Sequence, residues 1–203
     1  MNIVFENGDI IVVDKPAGLL SVPGRGEDKQ DSVETRIKNV YPGAVAVHRL
    51  DMATSGIMLL AKHKAAERHY KSCFEKRQTE KHYYAIVHGQ PYPASGEIHL
   101  PLRCDWENRP RQMVCFTHGK PAQTLYQTIE TTQQRTRLKL IPITGRSHQL
   151  RVHLAEIGHP IIGDNLYAYE ADYDEPRLLL HAHFLQLPNL QGERMQFISP
   201  VPF

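Results

Sequence analysis

Apolar positions recur along this chain in short runs whose spacing shifts between two and nearly four, a pattern that predicts interleaved strands and helices. Residues 3–5 and 10–14 read as strands around Asn7-Gly8-Asp9, a sequence suited to a hairpin turn. Lys15-Pro16-Ala17-Gly18 breaks the second strand, and Leu19 to Gly24 forms a further extended piece ending in a turn. Asp31-Ser32 suits a helix cap, with Val33, Ile37 and Val40 at near-helical spacing and Pro42-Gly43 as the stop. Residues 45–51 lead through a turn of small residues into a buried strand over 56–61. An exposed helix follows over 64–77, carrying Lys64, Glu67, Arg68, Lys71 and Lys76.

Residues 81–88 favour a strand. The segment 101–120 is rich in Pro, Arg and Asn with little periodicity, and reads as a long surface excursion of the kind that is usually functional. Residues 123–130 and 136–142 form a second hairpin. A helix over 147–157 places Leu150, Leu154 and Ile157 on one face, and Gly158 and Pro160 end it. The last strands are 178–187 and 195–198, and His181 and His183 are assigned to opposite strand faces. No internal repeat, low-complexity tract or linker interrupts the chain. The expectation is one α+β domain, 1–203, built on a large, mostly antiparallel sheet flanked by helices and loops.

Composition adds limits. The 203 residues and 41% apolar content suit one domain with a real core. Three cysteines, Cys73, Cys104 and Cys115, have no paired short spacing, which argues for a reducing compartment. The N-terminus has no basic region followed by an apolar run, and no stretch approaches the length of a membrane span, so a soluble cytoplasmic protein is expected. Absence of a repeat or an apolar seam points to a monomer.

The net charge of +2 is unevenly spread. Between 101 and 151, Arg103, Arg109, Arg111, Lys120, Arg135, Arg137, Lys139, Arg146 and Arg151 face only Asp105, Glu107 and Glu130. Beyond 152, acidic residues dominate, among them Glu156, Asp164, Glu170, Asp172, Asp174, Glu175 and Glu193. A polyanion-binding face with an acidic back accounts for this, as do solvated charges on unrelated faces.

Three segments carry candidate chemistry. Val47-His48-Arg49-Leu50-Asp51-Met52-Ala53-Thr54-Ser55-Gly56 puts one carboxylate beside a cation in a turn leading to a buried strand. Taken alone, Asp before Thr, Ser and Gly is more often a turn former bonding its own backbone. Lys81-His82-Tyr83-Tyr84-Ala85 is the second segment, and Thr144-Gly145-Arg146-Ser147-His148-Gln149-Leu150-Arg151-Val152-His153 the third. In a helix from 147, Arg151 lies one turn beyond Ser147 and beside His148. The alternatives are a surface arginine for Arg151 and ordinary polar packing for His148 and His153.

No metal is expected. His148 and His153 share no helical face, and Cys104, Cys115 and His118 lack a Cys-x-x-Cys pair. The chain has no P-loop, Gly-x-Gly-x-x-Gly or Gly-x-Ser-x-Gly, so nucleotide cofactors and serine hydrolysis are unsupported.

The motifs His48-Arg49-Leu50-Asp51 with Thr54-Ser55-Gly56, Lys81-x-Tyr83-x-Ala85, Thr144-Gly145-Arg146-x-His148-Gln149-Leu150-Arg151-x-His153, Gly163-Asp164 and Leu179-Leu180-His181-Ala182 resemble the RluA family of pseudouridine synthases, in that family's order and over nearly the whole chain. Cys104-Asp105-Trp106-x-Asn108-Arg109-Pro110 and Thr117-x-Gly119-Lys120-Pro121-Ala122-Gln123-Thr124 narrow the resemblance to a branch acting on both a 23S ribosomal RNA loop and a tRNA anticodon loop. Larger relatives carry an N-terminal S4-type RNA-binding domain, and this chain starts directly on the catalytic domain.

The resemblance implies the pseudouridine synthase fold, an RNA substrate, no cofactor, and a reaction that detaches uracil from its ribose and rejoins it through C5. It implies that Asp51 is the catalytic carboxylate, whether attacking the sugar, adding to the ring or removing a sugar proton. It further implies that Arg151 pairs with Asp51 and keeps it charged. Tyr83 is to stack on the uracil and help remove the C5 proton. Arg49 is to fill the space of the flipped base or hold its phosphate. Arg103, Trp106, Arg109, Arg111, Lys120, Arg146 and His148 are the expected RNA contacts, with Trp106 stacking on a base or anchoring its own loop. Competing readings are the same chemistry on another uridine, a non-catalytic RNA-folding factor, and a glycosidase, which normally needs two carboxylates.

Overall fold

The structure is a computed structural model that describes residues 1–168 and 175–203. In chain order its strands and α-helices are β1 (Asn2–Glu6), β2 (Ile10–Lys15), α1 (Val33–Lys38), β3 (Val45–Ala46), β4 (Ser55–Ala61), α2 (Lys64–Glu75), β5 (Glu80–His88), β6 (Ser95–Ile98), β7 (Leu102–Cys104), β8 (Gln112–Val114), β9 (Thr124–Thr131), β10 (Arg135–Pro142), α3 (Gln149–Glu156), β11 (Leu180–Pro188) and β12 (Arg194–Ile198). They fall into two compact units: Met1–Lys81 with His181–Pro202, and His82–Leu180 with Phe203.

In the first unit β1, β2, β4 and β11 are neighbours in that order, with β3 on β4 and β12 on β11. Every pairing there is antiparallel except β4 with β11, where Ser55 faces His181 and Gly56 faces Ala182. The turn from β1 to β2 is closed by Asn7, whose Oδ1 accepts from the N–H groups of Asp9 and Ile10 at 2.9 Å.

The apolar runs of β2 and β4 have no polar face because both faces are covered. Ile10, Val12, Ile57, Leu59 and Ala61 pack with Ala66 and Tyr70 of α2, while Ile11, Val13, Met58 and Leu60 pack with Val33 and Ile37 of α1. α1 starts where its cap predicts, with Ser32 Oγ accepting from Thr35 N–H at 3.1 Å.

The second unit holds β5, β10, β9 and β6 in that order, all antiparallel. Opposite β5, Leu140 pairs with Tyr83 and Leu138 with Ala85. β7 and β8 form a separate small hairpin, and Leu102 and Ala122 pack on Val152 of α3. The α+β class with its mostly antiparallel strands stands as the sequence predicts.

Several local expectations change. Val40 lies past the end of α1 and is 69% exposed, so it is no part of the core. The helix over 64–75 is amphipathic rather than simply exposed, because Ala66, Tyr70 and Cys73 are buried between its charged positions. The 101–120 excursion is ordered around β7 and β8, whose three-residue strands are too short to show a period. α3 begins at 149, after His148 at φ 53°, and buries every residue from Gln149 to Leu154 rather than one stripe. His181 and His183 share a face, since two residues is one full strand period, and both rings bond Ser199. Glu170, Asp172 and Asp174 of the acidic end lie outside the described residues.

Gly56 is where the backbone leaves least room. Its φ is +116°, and a Cβ there falls 2.2 Å from the Ala182 carbonyl oxygen on the paired strand. Gly56→Ala is therefore expected to cost about 3 kcal/mol in urea unfolding. Gly8→Ala, where nothing lies within 4 Å of the added carbon, is expected to leave the unfolding midpoint nearly unchanged.

Candidate active site

The turn bearing Asp51 is fixed on both sides by buried polar groups. Lys15 is fully buried at the end of β2, and its ammonium donates to the carbonyls of Pro16 (2.9 Å), Leu19 (2.6 Å) and Met52 (2.9 Å). Gly18 N–H reaches the same Met52 carbonyl at 2.9 Å. On the other flank Ser21 Oγ donates to the Leu50 carbonyl at 2.6 Å and accepts from Leu50 N–H at 3.0 Å. Within the turn Thr54 N–H bonds the Asp51 carbonyl at 3.1 Å, and Ser55 Oγ shares a 2.8 Å bond with His181 Nδ1.

Held in this way, Leu50, Thr54 and Ser55 are buried, whereas Asp51 is half-buried and Arg49 and Met52 are exposed. Backbone bonds that fix a turn give the half-buried side chain it carries a defined position. His48 is not a surface group of this site. Its Nε2 accepts from Leu59 N–H at 3.0 Å, and its ring stacks on Phe74 with centroids 4.4 Å apart. Burial first, and then the charge of Lys81, push its pKa down to about 3. Lys81 is itself pushed down to about 8, by burial and then by Arg77.

In the second unit Tyr83 is half-buried on β5, on the same strand face as the fully buried Ala85 and Val87. Arg151 is 3% exposed on α3, which removes the surface-arginine alternative. Its Nε and Nη2 donate to Asp164 Oδ2 and Oδ1, both at 2.7 Å, in a buried bidentate pair. Its guanidinium also lies 5.2 Å from the centre of the Tyr167 ring. The Gln149 amide is satisfied by Thr144 Oγ1 (2.7 Å), Arg146 N–H (3.0 Å), the Gln123 carbonyl (2.9 Å) and Thr124 Oγ1 (3.0 Å). His153 bonds Thr124 Oγ1 and the Leu100 carbonyl, as ordinary polar packing would have it.

The expected RNA contacts divide. Arg103, Trp106, Arg109, Arg111 and Lys120 are exposed on or beside the β7–β8 hairpin. Trp106 is 65% exposed, with the Arg109 guanidinium stacked 3.7 Å from its ring centre, so it is no buried anchor for the loop. Arg146 is partly committed to structure, since its Nε donates to the Pro121 carbonyl at 3.1 Å. His148 is half-buried, and its Nδ1 shares a 2.8 Å bond with Tyr167 Oη.

Sequence reading gave Lys15, Ser21 and Tyr167 no part in the site, and named Asp164 in a motif without a role. Lys15 carried a readable signal, because period-two alternation from Ile11 and Val13 puts it on a buried face. Ser21, Asp164 and Tyr167 meet their partners only through long-range folding.

The sequence profile of the RNA pseudouridylate synthase family matches residues 9–156. The dual-specificity RNA pseudouridine synthase RluA of Escherichia coli K12 is 54% identical over 99% of this chain and 93% of its own length. That of Yersinia pestis is 54% identical over the whole of both chains. Among solved structures, human RNA pseudouridylate synthase domain containing 1 aligns over 100% of this chain and 84% of its own, with 29% identity and a TM-score of 0.85.

Lys15→Met removes one donor from each of three carbonyl oxygens, of which Met52 keeps Gly18 N–H, and is expected to cost about 3 kcal/mol in urea unfolding. Lys38→Met, at an exposed pair with Glu34, is expected to cost less than about 0.5 kcal/mol in the same assay. His48 predicts a pH effect of definite sign. Its folded pKa of about 3 lies below the ordinary 6.5, so the unfolded chain takes up a proton first and stability is lost as pH falls from about 6.5 towards 3. His48→Gln is expected to flatten that part of the stability–pH curve.

Proposed function

The chain belongs to the RNA pseudouridylate synthase family and isomerises uridine in RNA to pseudouridine, and from that premise we propose that Asp51 is its catalytic carboxylate, working with Tyr83 and Arg151. The observation that carries this reading is the Asp51 turn itself. Buried Lys15 and Ser21 bond the backbone carbonyls on either side of the half-buried Asp51, and Ser55 at the end of the turn bonds His181. A purely structural Asp needs no such support for the neighbouring carbonyls.

The reaction breaks the N1–C1′ bond of uridine and forms a C5–C1′ bond. N1 gains a proton and C5 loses one, so neither an oxidant nor an energy source is consumed. In the proposed division of work, Asp51 acts as an ionised carboxylate at the breaking and forming bonds. Tyr83 offers an aromatic face to the loose uracil and helps take the C5 proton. Arg151 supplies the cationic charge beside which the carboxylate works. Arg49, exposed beside Asp51, holds the phosphate or the space of the flipped nucleotide.

The substrates are proposed to be a 23S ribosomal RNA stem-loop and a tRNA anticodon stem-loop. The relatives named dual-specificity synthases, at 54% identity over nearly full length, support this. Extruding a loop uridine costs less than breaking a duplex pair. Arg103, Arg109, Arg111 and Lys120 are proposed to grip the phosphate backbone, with exposed Trp106 against a base and Arg146 and His148 alongside. The two units are proposed to serve as one catalytic domain, acting as a monomer in the cytoplasm. Free Cys73, Cys104 and Cys115 are compatible with a reducing compartment.

The test is tritium release from C5-labelled uridine in both RNAs. Wild type is expected to release from each, and Asp51→Asn to release from neither while binding both with near-wild-type affinity at matched salt. Loss of binding by orders of magnitude in Asp51→Asn would show a docking or folding role instead. Release from one RNA alone would remove the dual specificity and leave the chemistry standing.

A further inference from the structure

Arg151 brings a full positive charge into the interior, where an unmatched charge is costly. Asp164, thirteen residues further along the chain, meets it with a carboxylate. The Asp164 side chain is completely buried, and hydrogen-bond donors converge on both its oxygens. Oδ2 takes Arg151 Nε, and Oδ1 takes Arg151 Nη2 together with the backbone N–H groups of Leu166 (3.0 Å) and Tyr167 (3.2 Å). The preceding Gly163 sits at φ +74°, with space for a Cβ blocked 2.0 Å away by the Arg177 carbonyl oxygen, so the segment is held tightly.

We propose that Asp164 is a positioning residue for the isomerisation, which fixes the guanidinium plane of Arg151, with Tyr167 as the strut that keeps this pair in place against the basic hairpin. The proposal rests on the reading that Arg151 acts in the reaction. A monodentate partner would let the guanidinium turn about its long side chain. The Nε–Nη2 edge against two carboxylate oxygens fixes the plane, and with it the direction of the remaining N–H groups.

Tyr167 ties the same point to the hairpin. Its Oη accepts from Gln112 N–H on β8 at 2.7 Å and shares the bond with His148 Nδ1. Its ring faces Arg151 at 5.2 Å and Arg111 at 5.4 Å, and it packs against Leu102 and Val152. One loop, Asp164 to Tyr167, therefore sets both the aim of Arg151 and the seat of the segment proposed to hold RNA. A buried ion pair serving only stability could be exchanged for an apolar pair without loss. The doubled hydrogen bonding of Asp164 goes beyond charge balance and fixes direction.

The experiment measures single-turnover rates with excess enzyme on an anticodon stem-loop RNA, beside RNA affinity and melting temperature, for Arg151→Met, Asp164→Asn, Asp164→Glu and Tyr167→Phe. Asp164→Asn is expected to lose about 100-fold in rate, the cost of misplacing a group by roughly 1 Å, with RNA affinity within about threefold of wild type. Asp164→Glu, which keeps the charge at a changed reach, is expected to recover part of that loss. Tyr167→Phe keeps the ring and is expected to lose about tenfold, close to the worth of one hydrogen bond.

If Arg151→Met turns over at the wild-type rate, the reading of Arg151 fails and the proposal falls with it. If Arg151→Met is inactive while folded Asp164→Asn keeps the wild-type rate, the proposal alone is overturned. Should Asp164→Asn not fold, Tyr167→Phe decides: a reduced rate at unchanged affinity supports the strut, and a wild-type rate overturns it.

Discussion

A buried ammonium with three carbonyl partners is the constraint on which the carboxylate turn depends. Lys15 carries a charge into the interior, and the carbonyls of Pro16, Leu19 and Met52 converge on it and offset the cost of that burial. The dependence is mutual: the break after β2 and the turn around Asp51 come from segments far apart in sequence, and the ammonium ties them together. Ser21 repeats the arrangement on the other flank through Leu50. Asp51 thus inherits a backbone fixed on both flanks.

The sheet of the first unit supplies the rigidity behind that turn. β2 and β4 are apolar on both faces because α1 covers one and α2 the other, so both strands are gripped by the core from two sides. The close parallel approach of Gly56 to Ala182 then brings His181 to Ser55, one step beyond the turn. In the second unit the same logic is ionic. Arg151, Asp164 and Tyr167 place a cation, a carboxylate and an aromatic ring in contact within a buried setting, where unmatched charge is costly.

Much of this was legible in the sequence, and for identifiable reasons. β2, β4, β9 and β10 announce themselves by period and composition, and Ser32 announces α1 by its capping chemistry. The Asp51 turn was readable as a carboxylate among small residues flanked by a buried strand. The β7–β8 hairpin was not, because three-residue strands carry no measurable period. α3 misled because a helix buried all round looks amphipathic when its Arg and His are counted as surface residues. Asp164 stood in a recognisable Gly-Asp pair, yet its tie to Arg151 depends on the fold of the second unit, which spacing alone does not reveal.

Bonded on both flanks, the Asp51 turn is held as rigidly as the core it springs from. Native-state amide hydrogen exchange measures this directly at Gly18, Leu50 and Thr54, whose N–H groups bond the Met52 carbonyl, Ser21 Oγ and the Asp51 carbonyl. The account predicts that these amides exchange only with global unfolding, as slowly as Val13 and Met58 in the paired β2 and β4. Exchange orders of magnitude faster than those core amides would contradict it, and would mean that the turn opens on its own.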